Sequence, residues 1–205
     1  MNALILHSFR RCPFAIRVRM VLEEKKIPFQ IKEEDLSQPS TELLARHPEG
    51  RVPLLVHQIN GKTHVIYQST IITEYLEETF PQYSLMPSLP LLRTEVRLWT
   101  YWCDSIFKPD LDLFKYDFRS LNDSEKEDLK RRIHKNLYHW NQALDQRPFL
   151  LGDALTLADI HLFPFARQFF AIRPGLEEVD QYQNLQNWLT RMISRPAFER
   201  VMRKA

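Results

Sequence analysis

Apolar and polar positions change their rhythm once along this chain. Over the first 80 or so residues, short runs with the two-residue alternation of strands interleave with helix-period stretches, and beyond residue 92 only the helix period remains. Ala3–Ser8 is apolar enough for a strand buried on both faces. From Pro13 to Lys26 the positions Phe14, Val18, Met20, Val21 and Leu22 fit one buried helix side. Ile27-Pro28-Phe29 breaks that helix ahead of a half-buried strand over Phe29–Glu33. Two strands joined by a helix predict parallel pairing and a right-handed crossover. Ser40–His47 is a short helix candidate ended by Pro48 and Gly50. Val52-Pro53 then leads into Leu54-Leu55-Val56. With Asn60-Gly61 as a tight turn and Thr63–Tyr67 alternating, 54–67 reads as a hairpin. Gln68-Ser69-Thr70 supplies capping residues for a helix whose core face is Ile71, Ile72, Tyr75 and Leu76, closed by Pro81.

Three prolines and two serines between 81 and 92 predict an interdomain linker. After it, Leu92, Val96, Trp99, Cys103 and Ile106 keep one face of a long helix, and Leu129, Ile133, Leu137, Trp140 and Leu144 keep one face of a second. Thr156-Leu157-Ala158-Asp159 has capping-box spacing, with aspartate where glutamate is more usual, and opens a third helix through Phe163 that Pro164 should kink or shorten. Leu185, Trp188, Leu189, Met192 and Ile193 make a fourth, and Pro196 starts a short last one. The fold class predicted is α+β: a βαβαββα domain over 1–80, a linker over 81–92, and an all-helical bundle over 93–205.

Composition narrows this only a little. At 205 residues the chain can bury a sizeable core, and its formal net charge of +2 provides no electrostatic footprint for nucleic acid or an anionic membrane as partner. Four glycines against thirteen prolines suit helices with proline-marked ends. The opening apolar run lacks a basic flank and is too short to span a bilayer, so a cytoplasmic, reducing location is expected. His57 and His64 would face each other across the hairpin, but two ligands on a ladder do not make a structural metal site, and no C-x₂-C or H-E-x-x-H pattern is present. No metal is expected.

The chemistry-bearing stretch is Arg10-Arg11-Cys12-Pro13-Phe14-Ala15. Proline suits the first helical turn, because it lacks only an N–H that has no intrahelical partner. Cys12 then falls at or beside the N-cap, where unpaired N–H groups and the positive end of the helix dipole favour thiolate, and Arg11 could add to the effect. Otherwise Cys12 is a small core hydrophobe, a role that Cys103, on the apolar face of the long helix, fits better. Alanine at 15 leaves no C-x-x-C and no resolving cysteine in the motif. Thr156 and Asp159 read as a local cap that belongs to folding, although Asp159 near His161 could be mistaken for a catalytic or metal pair.

A Cys-Pro at a strand–helix junction, a Val-Pro entering a strand some forty residues later, and a helix beginning Gln-Ser suggest a thioredoxin-like domain. Together they resemble the glutathione transferase superfamily, most of all its cysteine-type, omega-like and dehydroascorbate-reductase-like members. The resemblance is carried by Cys12-Pro13-Phe14-Ala15-Ile16-Arg17-Val18-Arg19, Gly50-Arg51-Val52-Pro53, Gln68-Ser69 and Leu155-Thr156-Leu157-Ala158-Asp159.

The resemblance implies that Val52 offers its backbone N–H and C=O to the cysteinyl part of glutathione, with Pro53 cis. It implies that Gln68 and Ser69 hold the γ-glutamyl end, and that Arg51 contacts a carboxylate. Gln38-Pro39 stand where omega-like proteins carry a lysine, and His47 where many relatives have asparagine. Glutathione is thus the expected co-substrate, Cys12 the nucleophile, and thiol transfer or reduction through a glutathione mixed disulfide the expected reaction. The second substrate is expected between the two domains. Phe9, Phe14, Trp99, Trp102 and Phe107 are candidate aromatic walls, about half of them core, and Tyr101 and Asp104 lie off the main stripe. The alternatives are conjugation or dehalogenation of electrophiles at the same site, and a non-catalytic interaction module of the stringent-starvation type. The resemblance also implies a homodimer.

Overall fold

A computed structural model describes residues 3–172 and 181–203. The chain divides into two compact units. One comprises the residues up to Leu85 together with those from Pro196 onward, and the other spans Met86–Arg195.

The first unit is built on a four-stranded sheet of β1 (Ala3–Ser8), β2 (Gln30–Glu33), β3 (Leu54–Ile59) and β4 (Lys62–Tyr67), ordered β2-β1-β3-β4. As predicted, β1 pairs parallel with β2 across α1 (Pro13–Glu24). It pairs antiparallel with β3, which forms the hairpin with β4 and sets His57 opposite His64. Asn60 (φ 51°) and Gly61 (φ 74°) both take the left-handed backbone that a two-residue hairpin turn demands. β2 is more exposed than its pattern suggests, because it is an edge strand.

Strand alternation sorts the core. Ile5, Leu54, Val56 and Val65 point to one face, where they meet Leu43 of α2 (Thr41–Arg46). Leu4, Leu6 and Leu55 point to the other, where α1 packs against α3 (Ser69–Thr79). Of the predicted core face of α3, Ile72 and Leu76 are buried, but Ile71 is 58 % exposed and Thr73 takes its place inside.

Six residues are too few for a self-supporting helix, so α2 depends on its tethers. Ser40 caps it by accepting the Leu43 N–H (3.2 Å). The buried Glu34 carboxylate in turn accepts from Ser40 N–H (3.0 Å), from Ser40 Oγ (2.8 Å) and from His7 Nδ1 (2.7 Å). Burial alone would raise the Glu34 pKa, but the hydrogen bonds from His7 and Ser40 hold it below its usual value.

His57 carries a measurable consequence. It is buried, its Nδ1 lies 2.7 Å from Tyr75 Oη, and burial, with His64 adding to it, pushes its pKa below the usual value. The unfolded chain then binds more protons than the folded chain, so stability should rise with pH and be lost as the pH falls below about 6.5. Urea midpoints taken on either side of that pH measure the slope. His57→Gln should flatten it, and an unchanged slope in the variant would assign the effect elsewhere.

The second unit is helical: α4 (Pro90–Trp102), α5 (Lys108–Asp112), α6 (Asp123–Ala143), α7 (Leu157–Ile172) and α8 (Gln183–Ile193). Between α4 and α5, residues Cys103–Phe107 form a π turn, and Leu113–Asp117 form a second after α5. Pro109 explains the first, since it has no N–H to continue the α ladder and its ring crowds the carbonyl four residues back. The extra residue in that turn carries the buried stripe from Ile106, 46 % exposed, to Phe107, fully buried. α6 buries the predicted Leu129, Ile133, Leu137 and Trp140, and Asn122 with Glu125 forms a capping box at its start.

α7 runs on through Pro164 to Ile172, so the proline does not shorten the helix to Phe163. Every residue from Leu157 to Ala166 is buried, and that packing outweighs one lost hydrogen bond. On α8, Ile193 is exposed while Leu185, Trp188, Leu189 and Met192 are inside. The last helix, α9 (Pro196–Met202), joins the first unit rather than the bundle. It packs on α1, with Arg200 Nε 2.5 Å from Glu23 and Arg10 Nη1 donating to Met202 O (3.3 Å). Among the described residues no helix is long and apolar enough to cross a membrane, and no cluster of His, Cys, Asp or Glu could hold a metal.

Candidate active site

Cys12 is the N-cap of α1 (φ −70°, ψ 120°), with Pro13 at the first helical position. A short turn delivers it there: its N–H donates to Phe9 O (2.9 Å), and its own carbonyl accepts the Ile16 N–H (2.9 Å). The side chain makes no capping hydrogen bond. Sγ instead lies 4.0 Å from Val52 O, near the limit for an S–H···O contact. The residue is half-buried, whereas Cys103 is sealed in the helical unit. Arg11 is exposed and places its guanidinium 5.4 Å from the centre of the Phe9 ring. Its observed partner is thus a ring face.

The peptide between Val52 and Pro53 is cis, as the resemblance implies, and Val52 lies outside the β3 ladder, which begins at Leu54. Gly50 makes the approach possible. It has φ +60°, a backbone conformation that favours glycine, while a Cβ there would meet only the movable end of the exposed Leu44 side chain. Gln68 caps α3 with φ 70°, a conformation that costs a non-glycine residue on the order of 1–3 kcal/mol and persists where the surrounding structure holds it. Ser69, 4 % exposed, begins the helix.

These segments enclose a groove of about 150 Å³ lined by Phe14, His47, Arg51, Val52, Pro53, Gln68 and Ser69. The predicted Phe14, Arg51, Val52, Pro53, Gln68 and Ser69 therefore come together in one place. Cys12 is not part of the lining but adjoins it through Val52. Arg51 extends into solvent and pairs with Glu49 (2.9 Å). Phe9 is half-buried against Arg11 and does not line the groove.

In the helical unit, Phe107 is core, stacked on Trp102 (5.7 Å) and edge-on to Trp140 (5.6 Å). Trp99 and Trp102 are half-buried and, with Glu95, Leu98, Tyr101 and His139, line a surface cavity of about 390 Å³. Tyr101 is 65 % exposed, and Asp104 is half-buried in the π turn. His161 Nδ1 lies 2.9 Å from Thr100 Oγ1, while the Asp159 carboxylate accepts from Leu150, Thr156 and Trp188.

Two residues of the groove region are not recognised by the sequence reasoning. His47 is one of the lining residues. Arg17, fully buried on α1, sets its guanidinium 5.2 Å from the centre of the Phe14 ring and donates from Nη1 to Ser69 Oγ (3.4 Å). A cation on the apolar side of α1, one and a half turns past Cys12, is the signal for it.

A sheet ordered β2-β1-β3-β4 with a cis Val-Pro beside a helix-capping cysteine, followed by an all-helical unit, defines a thioredoxin-like domain joined to a helical domain. Residues 11–79 match the family model "Glutathione S-transferase, N-terminal domain", and residues 103–196 match "Glutathione S-transferase, C-terminal domain". The chain is 30 % identical to glutathione S-transferase 3 of Glycine max over 186 residues, which covers 89 % of this chain and 81 % of the relative. It is 27 % identical to glutathione S-transferase omega-1 of Sus scrofa over 194 residues, covering 94 % and 77 %. Among solved structures, glutathione transferase Omega 3C of Trametes versicolor superposes with a TM-score of 0.82 at 26 % identity, over 97 % of this chain and 83 % of that one. The chain belongs to the glutathione S-transferase family.

Proposed function

We propose that this chain is a glutathione-dependent thiol transferase of the cysteine type, with Cys12 as nucleophile. The observation that carries the reading is the position of Cys12: a half-buried sulfur at a helix N-cap, 4.0 Å from the carbonyl of Val52. A helix N-terminus favours an anion at its first turn, and the thiolate is the reactive form of cysteine.

In the cycle, the Cys12 thiolate attacks the glutathionyl sulfur of a mixed disulfide. The S–S bond breaks, the acceptor leaves as a thiolate that takes up a proton, and Cys12 is left joined to glutathione. The thiolate of a second glutathione attacks the sulfur of that glutathionyl group. Oxidised glutathione is released and the Cys12 thiolate returns. Cys103 is buried, which supports a cycle with one protein thiol and free glutathione, supplied by a reducing cytoplasm.

Val52 offers its N–H and C=O to the cysteinyl part of the peptide, and the start of α3 at Gln68 and Ser69 receives the γ-glutamyl carboxylate. Phe14 supplies the apolar wall, and a homodimer is the assembly we expect.

Alkylation of Cys12 followed across pH, with and without glutathione, tests this. The expected result is a midpoint below the ordinary thiol value of about 8.5, protection by glutathione, and a single glutathionyl adduct on Cys12 by mass spectrometry. An ordinary midpoint with no protection would favour a non-catalytic interaction module instead.

A further inference from the structure

The helical unit carries a concavity of its own, which shares no lining residue with the groove of the first unit. Its volume of about 390 Å³ falls within the range of small-molecule sites, roughly 300–1,000 Å³. One face of α4 builds most of it. Glu95, Trp99 and Trp102 follow at the four- and seven-residue spacing that stacks side chains along a helix, with Leu98 and Tyr101 beside them. α6 contributes His139.

The walls are aromatic and braced by their neighbours. The rings of Trp99 and Trp102 meet at 83° with their centres 5.3 Å apart, which makes a corner. His139 stacks on Trp99 at 4.9 Å, and Trp102 is held by the buried Phe107 and Trp140, each 5.7 Å away. Walls already packed in this way lose little freedom when a ligand enters. Glu95 supplies the polarity. It is half-buried, and among the described residues no hydrogen bond or ion pair engages its carboxylate. The described lining contains neither lysine nor arginine.

These features select among ligand classes. An anion would meet a carboxylate and no lysine or arginine. An uncharged apolar molecule would strip water from that carboxylate and give it nothing in return. An inorganic cation would satisfy Glu95 but leave the apolar walls in water. An organic cation satisfies both, because its charge suits the carboxylate and the negative faces of the indole rings while its carbon atoms fill the corner. We infer that this cavity binds a small organic cation, a quaternary or substituted ammonium ion, seated against Trp99 and Trp102 with its charge toward Glu95. The site is independent of the chemistry at Cys12 and does not rest on the glutathione reading.

Choline and 3,3-dimethylbutanol test this, since they have the same shape and differ by one nitrogen and its charge. Each is titrated into the full chain while the indole N–H signals of its four tryptophans are followed by NMR. Trp99→Phe and Trp102→Phe assign the two signals of the cavity. Choline should shift both saturably, with an affinity about tenfold above that of the uncharged isostere. Glu95→Gln keeps the shape of the side chain and should weaken choline about fivefold while leaving the isostere unchanged, which also shows the cavity intact. Equal binding of the two probes would overturn the inference, as would choline affinity untouched in Glu95→Gln. Shifts confined to Trp140 and Trp188 would place the ligand elsewhere and overturn it too. So would the absence of any saturable shift, the result expected if a second copy of the chain covers this face of α4.

Discussion

Replacing Cys12 by serine should abolish thiol transfer, by at least about a hundredfold in kcat/KM, while leaving the affinity for glutathione within about twofold. The two expectations come from different parts of the site. Cys12 caps α1 without any side-chain hydrogen bond to the helix, so serine should be accommodated and could improve the cap. The sulfur is not part of the groove lining and meets it through a 4.0 Å contact with Val52 O. What serine cannot do is form the mixed disulfide, because its oxygen is neither ionised near neutral pH nor able to exchange with a disulfide.

Reduction of a glutathionylated small thiol by wild type and Cys12→Ser measures the effect, with Cys103→Ala as control. Cys103 is fully buried, and its loss should leave the rate unchanged. If Cys12→Ser retained transfer, the chemistry would belong to glutathione alone. If it also conjugated a chlorinated aromatic as well as wild type or better, the site would be a conjugating one that stabilises glutathione's own thiolate through a hydroxyl.

Much of the fold is readable in the chain because its strongest signals are local. Asn60-Gly61 sets the hairpin register, and Leu129, Ile133, Leu137 and Trp140 map onto the buried side of α6, with Leu144 buried at its C-cap. The readings that differ involve information from elsewhere in the molecule. Ile71, Ile106 and Ile193 are apolar residues left outside, one of them because a π turn ahead of Pro109 shifts the helix phase. Pro164 stays inside a helix because burial on all sides holds it there.

α9 returns to α1 through Glu23–Arg200, a pairing 177 residues apart that no window of sequence contains. The candidate site divides in the same way. Cys12, Val52-Pro53 and Gln68-Ser69 are legible because each is a short motif with its own backbone consequence. His47 and Arg17 are not, since their meaning comes from the neighbours that folding provides, Glu49 N–H for one and Ser69 Oγ for the other.

Asp159→Ala should be the most destabilising single substitution we expect in the helical unit, at about 3–5 kcal/mol. The sequence reading of a local cap captures only part of its role. Asp159 is fully buried, and its Oδ2 accepts from the N–H (3.0 Å) and the hydroxyl (2.9 Å) of Thr156. Its Oδ1 accepts from Leu150 N–H (2.9 Å) and from Trp188 Nε1–H (2.9 Å). One carboxylate thus ties the start of α7 to the preceding loop and to the middle of α8.

Burial raises its pKa above the usual value, and the four donated bonds pull the other way, so the group is sustained by those donors. Alanine would strand all four. Asparagine keeps an oxygen for one pair but turns its NH₂ toward the other, setting donor against donor, and should recover little. Trp188→Phe removes one donor and keeps most of the packing, so it should cost about 1 kcal/mol. Urea denaturation of the three variants, monitored by far-ultraviolet circular dichroism, gives the ranking. A loss in Asp159→Ala no larger than that in Trp188→Phe would mean that water replaces the carboxylate, and that α7 and α8 are held together by their apolar contacts alone.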